Sequence, residues 1–243
     1  MIRVIVIVTF IVLFLIVCIP LFFIEWIIGK FNMPLKDRSS LAIVNWAFRV
    51  ILFLSGVHLE VIGEENVPQD IPVLYVANHR SFFDILLTYT RVPRPTGYIA
   101  KKEMLRVPLL SIWMKYLHCL FLDRDNVKEG LKTILEAIEL VKNGISICIF
   151  PEGTRNQVDE MMPFKEGSLK IAEKSGCPIV PIAITNSAEI FENHLYKIRP
   201  ANVTLEYGKP FYIKDLDKED RKFSGAYTQR IIQEMLDNQK NLK

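Results

Sequence analysis

Pro72-Val73-Leu74-Tyr75-Val76-Ala77-Asn78-His79-Arg80-Ser81-Phe82-Phe83-Asp84 runs from an apolar segment straight into a polar turn. The first six residues read as a buried strand, closed off by the polar cluster behind them. His79 then stands where the chain leaves the sheet, and open α/β sheets bind ligands at that carboxyl edge. An unperturbed imidazole titrates near ~6.5, so a neutral His79 can act as a general base. Asp84, five residues on, can fold back across the turn and accept from the other ring nitrogen, fixing the tautomer. On its own the motif equally fits a turn histidine followed by a helix-start carboxylate.

Outward from this stretch, apolar β-branched runs recur at Val57–Ile62, Gly97–Ala100, Cys119–Leu122, Ile145–Phe150 and Ile179–Thr185. Val203–Tyr207 and Phe211–Ile213 read as short strands near the end of the chain. Helical patterns lie between them. The clearest is Asn126–Asn143, with Asn126 as its N-cap and Gly144 just past its end. A second runs over about Lys165–Lys174, and an amphipathic closing helix over about Phe223–Asn238. This alternation predicts an α/β fold: a central, largely parallel sheet flanked by helices.

Pro151-Glu152-Gly153-Thr154-Arg155 follows the Ile145–Phe150 strand and is expected at the same edge as His79. Gly153 lets backbone N–H groups approach a ligand, and the planar guanidinium of Arg155 matches phosphate. A solvated loop arginine is the plain alternative. Lys101 and Arg124 also fall just past strand ends. A base for a hydroxyl beside cations for a phosphate fits a transferase acting on a phosphorylated alcohol.

The N-terminus adds the lipid. No charge occurs from Val4 to Ile24. As a helix this run is about 32 Å long at ~1.5 Å per residue, close to a ~30 Å hydrocarbon core. It exceeds a signal-peptide core and lacks a small-residue cleavage site, so a retained membrane segment is expected. The second apolar run, Leu41 to Val57, carries Asn45 and Arg49, with Arg38 on the same face. A helix with that polar stripe suits an interfacial or hairpin partner better than an independent span. Trp26 and Trp46 flank the Gly29–Ser40 connection, which is read as a basic turn near anionic lipid. The expected organisation is a membrane-anchoring two-helix segment over 1–57 and an α/β domain over 58–243, with a hairpin entering one leaflet preferred over a first helix that spans the bilayer.

The 30 Lys and Arg against 27 Asp and Glu leave +3, with no long run of like charge, so a nucleic-acid partner is not expected. Cys18, Cys119, Cys148 and Cys177 are too far apart for a metal or redox pair and sit in apolar runs. No disulfide framework is expected, in keeping with a cytosol-facing protein. His58, His118 and His194 lack metal-ligand spacing, so no metal site is predicted. The sequence has neither a G-x-S-x-G elbow nor a P-loop or G-x-G-x-x-G motif.

Residues 78–84 resemble the NHxSxxD first block of the glycerolipid acyltransferases. Leu120-Phe121-Leu122-Asp123-Arg124 resembles their second block, although His118-Cys119 stand where that block carries a Gly. Phe150 to Arg155 resembles the FPEGTR third block, and Val180-Pro181-Ile182-Ala183 the fourth. With the apolar N-terminus, the chain is similar at near full length to the bacterial 1-acylglycerol-3-phosphate acyltransferases. The resemblance implies that His79, oriented by Asp84, deprotonates the sn-2 hydroxyl of lysophosphatidic acid. The alkoxide would attack the thioester of acyl-CoA or acyl-carrier protein, giving phosphatidic acid for phospholipid biosynthesis. It implies Glu152, Gly153, Thr154 and Arg155, with Lys101 and Arg124, as holders of the acceptor phosphate. It implies no cofactor beyond the co-substrate, and a place on the cytoplasmic face of the cell inner membrane. Other lysophospholipids or glycerol 3-phosphate fit the same motifs, and so does an inactive membrane-anchored lipid-binding protein, against which intact His79 and Asp84 speak.

Overall fold

A computed structural model describes residues 1–158, 160–195 and 197–241. Two long helices, α1 (Ile2–Phe31) and α2 (Met33–Ser55), open the chain. Then come β1 (Val57–Ile62), β2 (Leu74–Ala77), α3 (Phe83–Tyr89), β3 (Thr96–Lys101), α4 (Leu110–Tyr116) and β4 (Leu120–Leu122). Next are α5 (Val127–Lys142), β5 (Ser146–Ile149), α6 (Glu166–Ser175), β6 (Ile179–Thr185) and β7 (Ala201–Tyr207). The chain closes with α7 (Lys218–Lys222) and α8 (Ser224–Asn241).

The seven strands form one sheet in the order β1-β7-β6-β2-β5-β3-β4. Every pairing is parallel except β6 with β7. Parallel central strands are covered on both faces, which is why β2 and β5 are buried throughout and read as unbroken apolar runs. Alternate side chains feed two cores. Tyr75, Ala77, Cys148 and Ile182 face α3, α4 and the N-terminal hairpin, whereas Leu74, Val76, Ile147 and Ile179 face α5, α6 and α8. Asn126 caps α5, its side chain accepting from the Lys128 and Glu129 amides at 3.1 and 3.2 Å. Phe211–Ile213 is not a strand: Phe211 makes an isolated bridge to Ile179, and Ile213 opens a 3₁₀ turn.

The hairpin differs from the sequence expectation in its turn. Asn32 is the whole break between α1 and α2, so most of the expected Gly29–Ser40 connection is helical. The Asn32 side chain accepts from the Leu35 amide, and Pro34 falls in the first turn of α2, where its missing N–H costs nothing. Gly29 permits the close approach, because a Cβ there would lie 2.7 Å from Cδ of Lys36. Helix α1 continues through Pro20.

The hairpin is docked along the sheet layer. Phe22 packs on the buried Trp113 of α4 with ring centres 5.1 Å apart, and the Tyr116 hydroxyl donates to the Phe22 carbonyl at 2.9 Å. His118 adopts φ +58°, a left-handed conformation that histidine tolerates better than most residues, in place of the block's Gly. Its Nε2 lies 2.9 Å from Asp37 Oδ1 of α2, at an angle that makes no hydrogen bond. The other face of α1 is bare, with Ile5, Val12, Leu13, Ile16, Val17 and Phe23 among its exposed residues. Both helices are long and apolar enough to cross a membrane by length and composition.

Candidate active site

Strands β2 and β5 are neighbours, so the turns that leave their carboxyl ends meet. Asn78 starts the first turn by extending the ladder with its side chain. Its Nδ2 donates to the Ile184 carbonyl at 2.9 Å, and its Oδ1 accepts from the Ile184 amide at 2.8 Å. His79 follows with both main-chain groups held by the second turn. Its amide donates to Glu152 Oε1 at 2.8 Å, and its carbonyl accepts from the Asn156 amide at 2.8 Å.

His79 Nδ1 lies 2.8 Å from Oδ2 of Asp84, which is fully buried in the first turn of α3. The same oxygen accepts from the Arg80 and Ser81 amides at 2.7 Å each. An ionised carboxylate is acceptor-only, so Nδ1 carries the ring proton and Nε2 keeps its lone pair. The helix-start and orienting readings of Asp84 therefore describe one group in both roles. Phe150 stacks beneath the imidazole, centroids 4.1 Å apart, and fixes the plane of the ring.

In the second turn, Gly153 has φ +79° and its amide closes back on the Phe150 carbonyl at 3.0 Å. A Cβ on Gly153 would meet Nζ of Lys165 at 2.6 Å. The bare glycine thus admits a second cation to the loop. Glu152 is buried, with Oε1 accepting from His79 and Oε2 from the Met162 amide at 3.0 Å. Burial pushes its carboxyl above the usual range, and these two donors pull it part of the way back. Its carboxylate braces the His79 main chain. Thr154 is exposed at the rim.

Arg155 lays its guanidinium over the Phe82 ring at 3.4 Å and places Nη1 3.2 Å from Glu192 Oε1. Glu192 also accepts from the Ser81 hydroxyl at 2.6 Å and the Phe82 amide at 2.8 Å. One carboxylate therefore ties both turns to the segment after β6. Lys101 and Arg124 end β3 and β4 on the same edge, but two and three strands from β2. At ~4.8 Å per strand, their backbones stand roughly 10 and 14 Å from that of His79. Lys101 Nζ reaches Glu103 at 3.2 Å, and Arg124 is exposed.

His79, Asp84, Glu152 and Arg155 are thus joined in one hydrogen-bonded unit with Gly153 at its rim. Sequence reading included Asn78 in its motif without giving it a role, and missed Lys165 and Glu192. Lys165 carried a signal, since it opens α6 only ten residues beyond Arg155. Glu192 carried none, because its partners lie 37 to 111 residues away along the chain.

The sequence profile of the Acyltransferase family matches residues 58–185. Among curated proteins, a 1-acyl-sn-glycerol-3-phosphate acyltransferase from Cocos nucifera is 32% identical over 172 residues, 70% of this chain and 55% of its own. One of the same description from Borreliella burgdorferi is 32% identical over 154 residues, 63% of this chain and 62% of its own. The match thus spans less than two thirds of either relative. The crystal structure of the 1-acyl-sn-glycerophosphate (LPA) acyltransferase PlsC from Thermotoga maritima superposes with a TM-score of 0.72 at 23% identity, covering 92% of this chain and 97% of that one. That likeness is one of fold.

Proposed function

The chain belongs to the Acyltransferase family, and from that premise we propose that it moves a fatty acyl group from a thioester to the sn-2 hydroxyl of 1-acyl-glycerol 3-phosphate, making phosphatidic acid. The observation that carries the reading is the His79–Asp84 pair, 2.8 Å apart, beside the loop of Gly153 and Arg155. His79 Nε2 takes the hydroxyl proton while the oxygen attacks the thioester carbonyl. As the tetrahedral intermediate collapses, the carbon–sulfur bond breaks and the imidazolium returns its proton to the leaving thiolate. Asp84 stabilises the imidazolium between the two steps. Arg155, Lys165 and the Gly153–Thr154 main chain hold the acceptor phosphate, with Glu152 keeping the two turns in register. Lys101 and Arg124 lie farther along the edge, suited to the more distant groups of acceptor or donor. The transfer needs no cofactor beyond its co-substrate, acyl-CoA or acyl-carrier protein.

The same reading puts residues 1–57 on the cytoplasmic face of the cell inner membrane as a hairpin that does not cross it, with 58–243 as the catalytic unit. The C-terminal half of α1 lies against that unit, which supports this. Phe22 packs on Trp113, and its carbonyl accepts from the Tyr116 hydroxyl. A span would have to peel α1 away from both. Acyl transfer by the purified full chain, assayed across lysophosphatidic acid, other lysophospholipids and glycerol 3-phosphate with both donors, tests the proposal. It expects highest turnover with lysophosphatidic acid. No transfer to any acceptor would overturn it.

A further inference from the structure

Arg38, Asn45 and Arg49 line a cleft of about 700 Å³, whose opposite wall carries Asp70 and Pro93-Arg94-Pro95. Arg94 lies just before β3, at the amino end of the parallel strands, whereas His79 lies past their carboxyl end. The cleft and the candidate active site are therefore at opposite edges of the sheet.

Three guanidiniums share the cleft with one carboxylate, and none of the three forms an ion pair among the described residues. Arg49 makes only a long approach, 3.5 Å, to the Thr90 carbonyl. Arg94 donates from one nitrogen to the Gly144 carbonyl at 2.8 Å, while its Nε and Nη1, both buried, have no partner. Three like charges around a single carboxylate still repel, and an anion among them removes that repulsion. Guanidinium forks match phosphate oxygens, and the volume accommodates a phosphate with its glycerol.

Trp46 identifies the source of that phosphate. It lines the cleft, is more than half exposed, and packs against Phe10 and Phe14 of α1 with ring centres 5.9 and 6.2 Å away. One wall of the cleft thus continues into the bare aliphatic face of α1. A basic pocket whose rim is an amphipathic ring beside an apolar surface fits a lipid headgroup. We propose that this cleft holds the phosphate of an anionic phospholipid, apart from the acceptor bound at His79. The inference rests on the reading that the hairpin lies against lipid.

The test is flotation of full-length protein with phosphatidylcholine vesicles, with and without phosphatidylglycerol. Arg38→Gln/Arg49→Gln is expected to lose roughly tenfold or more in affinity for the anionic vesicles alone, since each basic residue near an anionic surface adds several-fold. It is expected to keep its thermal midpoint and its acyl transfer on detergent-dispersed acceptor. Lys30→Gln/Lys36→Gln removes the same charge from the same hairpin outside the cleft and is expected to lose less. Equal losses in the two pairs, or none in the arginine pair, would overturn the cleft. Wild-type protein that floats with neither vesicle would overturn the membrane reading as well. Thermal stabilisation by inorganic phosphate that needs the two arginines, without any change in vesicle affinity, would overturn the lipid assignment in favour of a free phosphate.

Discussion

At the edge that carries His79, two polar turns are knitted together by side chains that bond main-chain groups; α1, at the other extreme, shows a bare aliphatic face and holds its place largely by apolar packing, with directional bonds only at Glu25 and the Phe22 carbonyl among those described. Directional bonds fix atoms to within tenths of an ångström and fail one at a time. Apolar packing is non-directional and additive, so it fixes a surface rather than an atom. The first suits a group that must aim a lone pair. The second suits a layer that must meet a fluid bilayer and also cover a core.

The largest expected effect comes from the apolar side. Deleting residues 1–56 uncovers Trp113, 2% exposed in the intact chain, along with the apolar surface around it. The remainder is expected to lose its cooperative thermal transition and to aggregate. A soluble remainder with the full-length melting temperature would reduce the hairpin to a tether and break the comparison. On the polar side, His79→Ala is expected to lower kcat by about 10² to 10⁴ while the protein stays folded and membrane-bound. Turnover like the wild type's would remove the general base from the account.

Arg155→Ala is expected to raise KM for the acceptor roughly 10- to 100-fold, the loss of one charge-assisted contact, with little change in KM for the thioester. Arg155→Lys is expected to recover only part of that, because an ammonium can neither fork nor stack on Phe82 in the same way. A rise confined to the thioester KM would move Arg155 to the donor. The smallest effect concerns neither region. Asn126→Ala removes the cap of α5 and is expected to cost about 1 kcal/mol in denaturant unfolding, with kcat unchanged.

The same contrast decides what could be read from the sequence. Strands β1 and β6 have the predicted bounds and β2 to β5 lie within two residues of them, because strands buried on both faces leave continuous apolar runs and the edge strand β1 leaves an alternating one. The two turns were legible because their residue types and spacing are local. Helices α3 and α4 were not, since seven residues each give too few turns for a period to show. The connection between the hairpin helices looked like a loop because Gly29, Asn32 and Pro34 punctuate it. Only packing reveals that Gly29 makes room for Lys36 and that Pro34 sits in a first turn. Glu192 is invisible for the same reason, because its three donors come from parts of the chain far from it.

The central claim is that Asp84 orients His79 so that Nε2 can take the acceptor's proton, and Asp84→Asn tests it most directly. Nδ1 and the Arg80 and Ser81 amides all point at Oδ2, so an asparagine either sets its NH₂ against two amide donors and forces the other tautomer, or keeps its oxygen there and loses the charge that stabilises the imidazolium. Steady-state acyl transfer to 1-acyl-glycerol 3-phosphate is expected to show kcat reduced by about 10² to 10⁴ with the acceptor KM nearly unchanged. A wild-type kcat, or a defect that appears only in KM, would contradict the account.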